Sequence, residues 1–488
     1  EAMAGITTNA VQDAVAIGHS AFKGSASTTT GANGTVAVGH DALKVLTTGA
    51  SNTAVGFQAG LSISTGGENT IVGDRAGDAI GVGNSNTLIG QAAGGALTDG
   101  DNNVVIGAST MTADDLGQGS TAVGAGALAY QNMASEVLTK NVGIGYQSGY
   151  YNVTGLGNAY LGYRAGFGAS NESHSHNVGI GNSALSSVTT GGYNVGIGYY
   201  AGSSMTSPAG NVFIGSSAGA ACTDTANVVL IGNSAGQDAD IADDGTVAIG
   251  YRALKALTSG RWNLGIGNDA LTANSTGEAN TALGFEALKT NVTGDSNTAI
   301  GYAAGNTFNT SDASGNNTAI GANASFHNAT GLNNTMVGSG AGQGASGNSN
   351  SSNVGIGFQA LYVIEDGGSN TVVGNNAGDA ITSQSDCVLI GRNAGTAINH
   401  DDANGTVAVG RDAGEDITSA IGTTLVGYTA GINISTGDYN TAVGYQSQDA
   451  NTTGSKNTSL GYASAGAIVA GSDANTAIGY NALLNGNH

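Results

Sequence analysis

The sequence predicts an all-β fold, a parallel β-roll or β-solenoid of about 27 short coils, on three observations. A unit close to S/T-T-G-x-x-N-T-A-V/I-G-Y-x-A-G/L recurs along the whole chain, nearly undiluted at 275–288, 292–305 and 435–447. Its marker glycine occurs 27 times, from Gly18 to Gly479, and 18 of the 26 intervals are 17 residues while the other eight are longer. A spacing that is lengthened but never shortened is a structural period, so each unit reads as one turn of a repeat architecture. Apolar residues also alternate with period two around T-A-V-G, the pattern of strands, and 17 residues are too few for a helix–loop–helix unit.

Each position of the unit has a physical reason. The residue before the marker glycine is Ile, Val or Leu in all 27 units, Ala stands three after it in 23, and Asn stands four before it in 19. Glycines and T-G pairs supply corners between two or three short strands per coil. Stacking then hydrogen-bonds each strand to its equivalents about 4.8 Å above and below, so 27 coils would make a rod of about 130 Å. The Asn column forms a ladder of stacked amides along that rod, as in cross-β stacks. Where Asn is replaced, by Ala14, Thr35, Ser120, Val228, Thr246, Cys387, Thr406 and Thr423, the substitutes are mostly small residues that fit the same slot.

In T-A-V-G the branched residue and the Thr point to one face and the Ala to the other. A coil this short encloses little volume, and Ala is about what fits inside. The 27 branched residues then call for a partner surface. Burying each is worth roughly 1.5–3 kcal/mol, so a wet stripe would forfeit on the order of 50 kcal/mol and present an aggregation-prone seam. Self-association along the rod under closed symmetry is therefore expected, with two chains and three both open on these residues alone.

Composition narrows the function classes. With 84 glycines, one proline and 9% charged residues, the chain is neither an ordinary enzyme nor collagen, and its 40% apolar content, placed periodically, argues against disorder. The balance of 34 acidic against 12 basic residues gives a formal charge of -22, which repels nucleic acid. No apolar run reaches the roughly 18 residues of a membrane span, and Glu1 opens no secretion signal. Residues 1–488 are expected to form a single continuous repeat domain, a window of a longer fibre protein. There is no G-x-S-x-G elbow between strand and helix, and glycine-rich matches are explained by the repeat, so no enzyme activity is expected.

The segments DAVAIGHSA (13–21), GTVAVGHDA (34–42), NVVLIGNSA (227–235) and GTVAIGYRA (245–253) resemble head repeats of trimeric autotransporter adhesins. The commoner form TGDYNTAVGYQ is similar to repeats in bacteriophage tail-fibre shafts, and the resemblance spans essentially the whole chain. It implies a left-handed parallel β-roll assembled as an intertwined or side-by-side homotrimer, extracellular, on a virion tail or a bacterial surface. It further implies a structural fibre shaft that supports attachment to a host or surface. The alternative it implies is an adhesin head that binds glycan or matrix along its flank. The coil is longer than that of the autotransporter heads, and no heptad stalk, membrane barrel or chaperone domain lies in this sequence. An ice- or mineral-binding solenoid would need a regular exposed Thr face, whereas here Thr shares its face with the branched column.

Candidate binding residues follow from the same register. The position after the marker glycine is aromatic in 12 units: Phe57, Tyr146, Tyr163, Tyr199, Tyr251, Phe285, Tyr302, Phe358, Tyr428, Tyr445, Tyr462 and Tyr480. Such a column offers flat apolar faces with polar tips to a sugar, or stacks on itself to stiffen the rod. His174 and His176 would share one face of an extended segment, a candidate transition-metal pair. Acidic groups at 98–103, 242–245 and 400–405 offer oxygen ligands to calcium without the ordered spacing of a known calcium loop. No other cofactor is expected. The longest inserts, 23–33 and 130–140, with smaller ones near 168–176, 306–316, 343–352 and 396–405, mark loops. Cys222 and Cys387 lie about nine coils, roughly 43 Å, apart and do not pair. Asn-x-Ser/Thr sequons at Asn152, Asn274, Asn291 and Asn433 arise from the Asn/Thr-rich repeat.

Overall fold

A computed structural model describes residues 2–3, 6, 11–24, 29–238, 245–309, 315–466, 468 and 471–484. The chain forms two compact units, Glu1–Asp244 and Gly245–His488, each built from the same coil. Among the described residues the first holds 13 repeat strands of three residues, from Val15–Ile17 to Val229–Ile231, and the second holds 14, from Val247–Ile249 to Thr476–Ile478. Successive strands pair in parallel and in register: Thr53 faces Thr70, which faces Thr87, and Thr281 faces Thr298, which faces Thr318. This is an all-β parallel solenoid. Among the described residues its sole helical element is a 3-10 turn at Asp401–Ala403.

Apart from the two coils that also hold Gly117–Gln118 and Val137–Leu138, each coil has one strand rather than the expected two or three. The rest is a chain of turns, because left-handed residues recur at fixed places. In the coil around Gly73 they are Glu68 (φ 61°), Arg75 (φ 53°) and Gly77 (φ 51°), and Gly73 itself lies at φ 143°. A strand does not run through such a residue. The turns are stitched to their neighbours instead, as in Glu68 N–H to Ala50 O (2.9 Å), Arg75 N–H to Phe57 O (2.8 Å) and Gly77 N–H to Ala93 O (2.9 Å). The marker column admits nothing but glycine. A Cβ on Gly284 (φ 142°) would lie 2.2 Å from the carbonyl oxygen of Gly301 in the next coil.

The core is a thin filling inside each coil. The middle strand residue and the Ala three after the marker are buried, as are Ala54, Ala59 and Ile63 in one coil. Large and small residues alternate between the mid-strand position and the position four after the marker. Ile71, Leu88, Phe213 and Leu425 are matched by Gly77, Gly94, Gly219 and Gly431, whereas Ala122 and Gly179 are matched by Leu128 and Leu185. Tyr160 fits because its strand neighbours are Gly143 and Gly179 and a Cβ on Gly166 would lie 2.3 Å from its ring. Coils that are small at both positions, such as Ala54 with Gly60 and Gly196 with Gly202, are filled by the adjoining coils: a Cβ on Gly60 would meet the Leu43 and Ile71 side chains, and one on Gly202 those of Leu185 and Phe213.

The Asn column runs beside this filling, buried up to Asn457 and half-buried at Asn475. Asn69 donates its side-chain amide to Asn52 Oδ1 (3.0 Å), the same oxygen accepts the Asn69 backbone N–H (3.1 Å), and the amide donates again to Gly83 O (2.9 Å). The same set recurs at Asn86, Asn158, Asn334 and Asn370. At Ser120 the ladder is relayed by Gln131, which donates to Asp114 and to Ser120 Oγ (3.0 Å) and accepts from Asn141 (2.9 Å). Burial pushes the Asp114 carboxyl above its usual range.

Inserts are held by extra pairings. Val137–Leu138 pairs with Gly117–Gln118, Asn152 bridges Glu172, and Asn328 bridges Asn348. Parts of the inserts at 23–33 and 306–316, namely 25–28 and 310–314, lie outside the described residues.

Candidate functional site

The outer face of the strands repeats one pattern through each unit. Because side chains alternate across a strand, burying the middle residue turns its two neighbours outward. They form two columns, one of Thr or Val with single Ala and Leu exceptions and one of Ile, Val or Leu, without a charged residue in any of the 27 repeat strands. Most side chains in mid-column are half-buried by the coils above and below, while Ile89, Leu161, Ile180, Leu283, Ile356, Ile390, Val426 and Leu460 are exposed. A continuous apolar column of this kind is unusual for a free surface.

The aromatic column lies one residue beyond, just past the marker glycine. Tyr428, Tyr445, Tyr462 and Tyr480 form a run with ring centroids 5.2, 5.1 and 5.1 Å apart and nearly parallel planes. Tyr146 stacks on Tyr163 (5.4 Å) and Phe285 on Tyr302 (5.3 Å). Phe57 stacks not on another member but on His40 (5.5 Å), which stacks on His19 (5.0 Å). Tyr199, Tyr251 and Phe358 stand alone in the column between Asn or Ser residues of the adjoining coils. Tyr199 meets Tyr200 edge-on, and Arg252 lies over Tyr251. All 12 are exposed. A saccharide ring does not fit between faces about 5 Å apart, so within a run only ring edges and the terminal face are open.

A second aromatic group escapes the column count. Tyr130, Tyr150, Tyr151 and Phe167 pack edge-on and face-on at 4.7–5.3 Å, and Arg164 lies 3.9 Å over Phe167. Beside it runs a groove of about 350 Å³ whose lining includes Ala108, Ala125, Gly126, Tyr130, Tyr146 and Tyr150. The signal available in the sequence was Tyr150 and Phe167 five residues after consecutive markers.

The structure does not bring the two candidate metal histidines together. His174 is inside its coil, with Nδ1 2.8 Å from the Tyr160 hydroxyl, and burial lowers its pKa to about 4. His176 is exposed and stacks on Tyr193 at 4.8 Å. It adopts φ 59°, which breaks the extended path that would have put both rings on one face. Of the acidic groups, Asp101 accepts the Asn84 backbone N–H (2.6 Å), and Asp401 accepts from Ser383 and Gln384. Residues 242–244 lie outside the described residues. Among the described residues the one convergence of potential metal ligands is His19, His40 and Asp41.

Cys222 and Cys387 are buried and form no disulfide. Cys222 fills the apolar corner that Ile63 and Leu97 fill elsewhere, and Cys387 takes the Asn slot, its N–H on Asn370 Oδ1 (3.0 Å). Three of the four sequon asparagines, Asn152, Asn274 and Asn291, are buried with their amides donating to Gly155, Gly277 and Gly294 carbonyls. Asn433 is exposed. No helix among the described residues is long and apolar enough to cross a membrane. No protein-family model matches the chain, and no curated protein matches it in sequence.

Proposed function

We propose that the chain is the shaft of an extracellular fibre, a phage tail fibre or a surface appendage, assembled as a homotrimer and supporting attachment to a host or surface without enzymatic chemistry. The outer strand face carries this reading. Two uncharged columns repeat through 13 strands of one unit and 14 of the other, and a second and third copy of the same face are the natural cover for them. A repeat whose recurring positions serve packing between coils or line this one uncharged face, and whose remaining surface residues vary, is suited to holding something at a distance.

Sedimentation equilibrium of the whole chain should return three times its mass. Replacing Ile180, Leu283 and Ile390 together by Asp should give single chains that keep their β circular dichroism. A wild-type chain that stays folded and monomeric overturns the assembly. Antibodies against the chain should decorate the length of a virion or cell-surface fibre in electron micrographs, and labelling confined to the cell interior overturns the location. The exposed aromatic residues and the groove beside Tyr130 favour a second reading, a flank that binds glycan. Saturable glycan binding that is lost on replacing Tyr130 and Tyr150 by Ser supports it, and blank glycan arrays remove it.

A further inference from the structure

We propose that His19, His40 and Asp41 bind a divalent transition-metal ion of the zinc or nickel class, in a slot that another pair of coils fills with the chain's own cations. His19 and His40 each follow a marker glycine, Gly18 and Gly39, and Asp41 follows His40. One ligand atom from each residue can be chosen so that all three lie within 4.8 Å of one another. His40 Nδ1 and Asp41 Oδ2 are 3.3 Å apart, which matches the about 3.3 Å between neighbouring ligands when bonds of about 2.0–2.1 Å meet at a tetrahedral angle. The His19 ring, exposed and 5.0 Å from that of His40, reaches the same ion by a side-chain rotation.

The backbone holds the carboxylate in place. Asp41 adopts φ 59°, its N–H donates to His19 O (2.9 Å), and its side chain is 10% exposed. The same three slots recur at Gly391 and Gly410, where they hold Arg392, Arg411 and Asp412. There Asp412 has φ 56°, its N–H donates to Arg392 O (2.8 Å), and Arg411 Nε and Arg392 Nη2 lie 3.0 and 3.6 Å from its carboxylate. Two guanidiniums thus face a carboxylate whose side chain is only 9% exposed. In the first unit the corresponding side chains are imidazoles, which bring lone pairs rather than a fixed charge. Lys44 approaches Asp41 on the other oxygen, Oδ1 (3.3 Å), leaving Oδ2 to the His40 side. Nitrogen donors with one carboxylate select zinc, nickel or copper over calcium or magnesium, and water completes the coordination.

Titration calorimetry of the whole chain with Zn2+ should give one saturable site per chain. His19→Ala and Asp41→Asn should each weaken it at least tenfold. His40→Phe keeps the ring stack on Phe57 while removing the ligand, so it separates ligation from stacking and should also weaken binding tenfold. Asp412→Asn should leave the affinity unchanged. Absence of a saturable site in the wild-type chain, or a site that survives replacement of both His19 and His40, overturns the assignment.

Discussion

Tyr160 and Leu161 are neighbours in one three-residue strand, yet the first is fully buried and the second is 47% exposed. The inner residue finds its cover within the chain, from Gly143, Gly179 and Gly166, and its hydroxyl meets His174. The outer one meets solvent and the equivalent residues above and below it. This contrast runs through both units: the inside of the coil is closed by complementary volumes and by the Asn ladder, while the outside repeats one apolar motif without closing it. Substitutions on the two sides should therefore differ in what they damage, inner ones stability and outer ones association.

The largest effect is expected at the marker column. Gly284→Val would set its Cβ 2.2 Å from Gly301 O at a φ of 142°, which breaks the stacking of two coils and should cost more than about 4 kcal/mol. Thr298→Ser, on the outer face, should stay within about 0.5 kcal/mol. Chemical denaturation of both variants measures the contrast, and equal losses would break it.

Next comes the buried histidine. The folded chain keeps His174 neutral down to about pH 4, whereas the unfolded chain takes up a proton near pH 6.5. The unfolded state binds the proton first, so the stabilising contribution is fully present above pH 6.5 and is lost as pH falls to about 4, by about 3 kcal/mol. The difference in denaturation free energy between wild type and His174→Gln should shift by that amount between pH 7 and pH 4. A shift of zero would place the ring in solvent. A smaller loss, about 2 kcal/mol, is expected from Asn297→Ala, which leaves the buried Asn317 N–H without its acceptor. Hydrogen exchange at Asn317 and its neighbours would report it locally.

Much of this was legible because a repeat states each contact many times. The marker glycine, the inward Ala and the buried Asn each stand in a column, and a column implies contact with itself. What does not repeat was not legible. The exchange of volume between Tyr160 and Gly166, or Ala122 and Leu128, is a contact between two different columns, visible only once their distance is known. An extended segment would put His174 and His176 on one face, and the left-handed His176 breaks it. His19 and His40 are adjacent in space but 21 residues apart in sequence, because the insert between them lengthens the interval and hides the shared slot. The second bond of each ladder amide, to a carbonyl 14 residues on, as from Asn52 to Gly66, depends on how the coil folds back rather than on its period.

The smallest effect tests whether an outer column can also close on itself. Tyr445 stacks on Tyr428 at 5.2 Å and on Tyr462 at 5.1 Å while remaining 42% exposed. A stacked pair contributes about 0.5–1.5 kcal/mol beyond burial, and an exposed one should sit at the lower end. A double-mutant cycle between Tyr445→Ser and Tyr462→Ser should therefore return a coupling of about 0.5 kcal/mol. Such a coupling means that the rings serve one another, and a saccharide would reach only their edges or the open face of Tyr480, which is 75% exposed. A coupling of zero would mean that stacking holds nothing, and the run would then be a row of independent faces, each as free to take a ligand as the isolated Phe358.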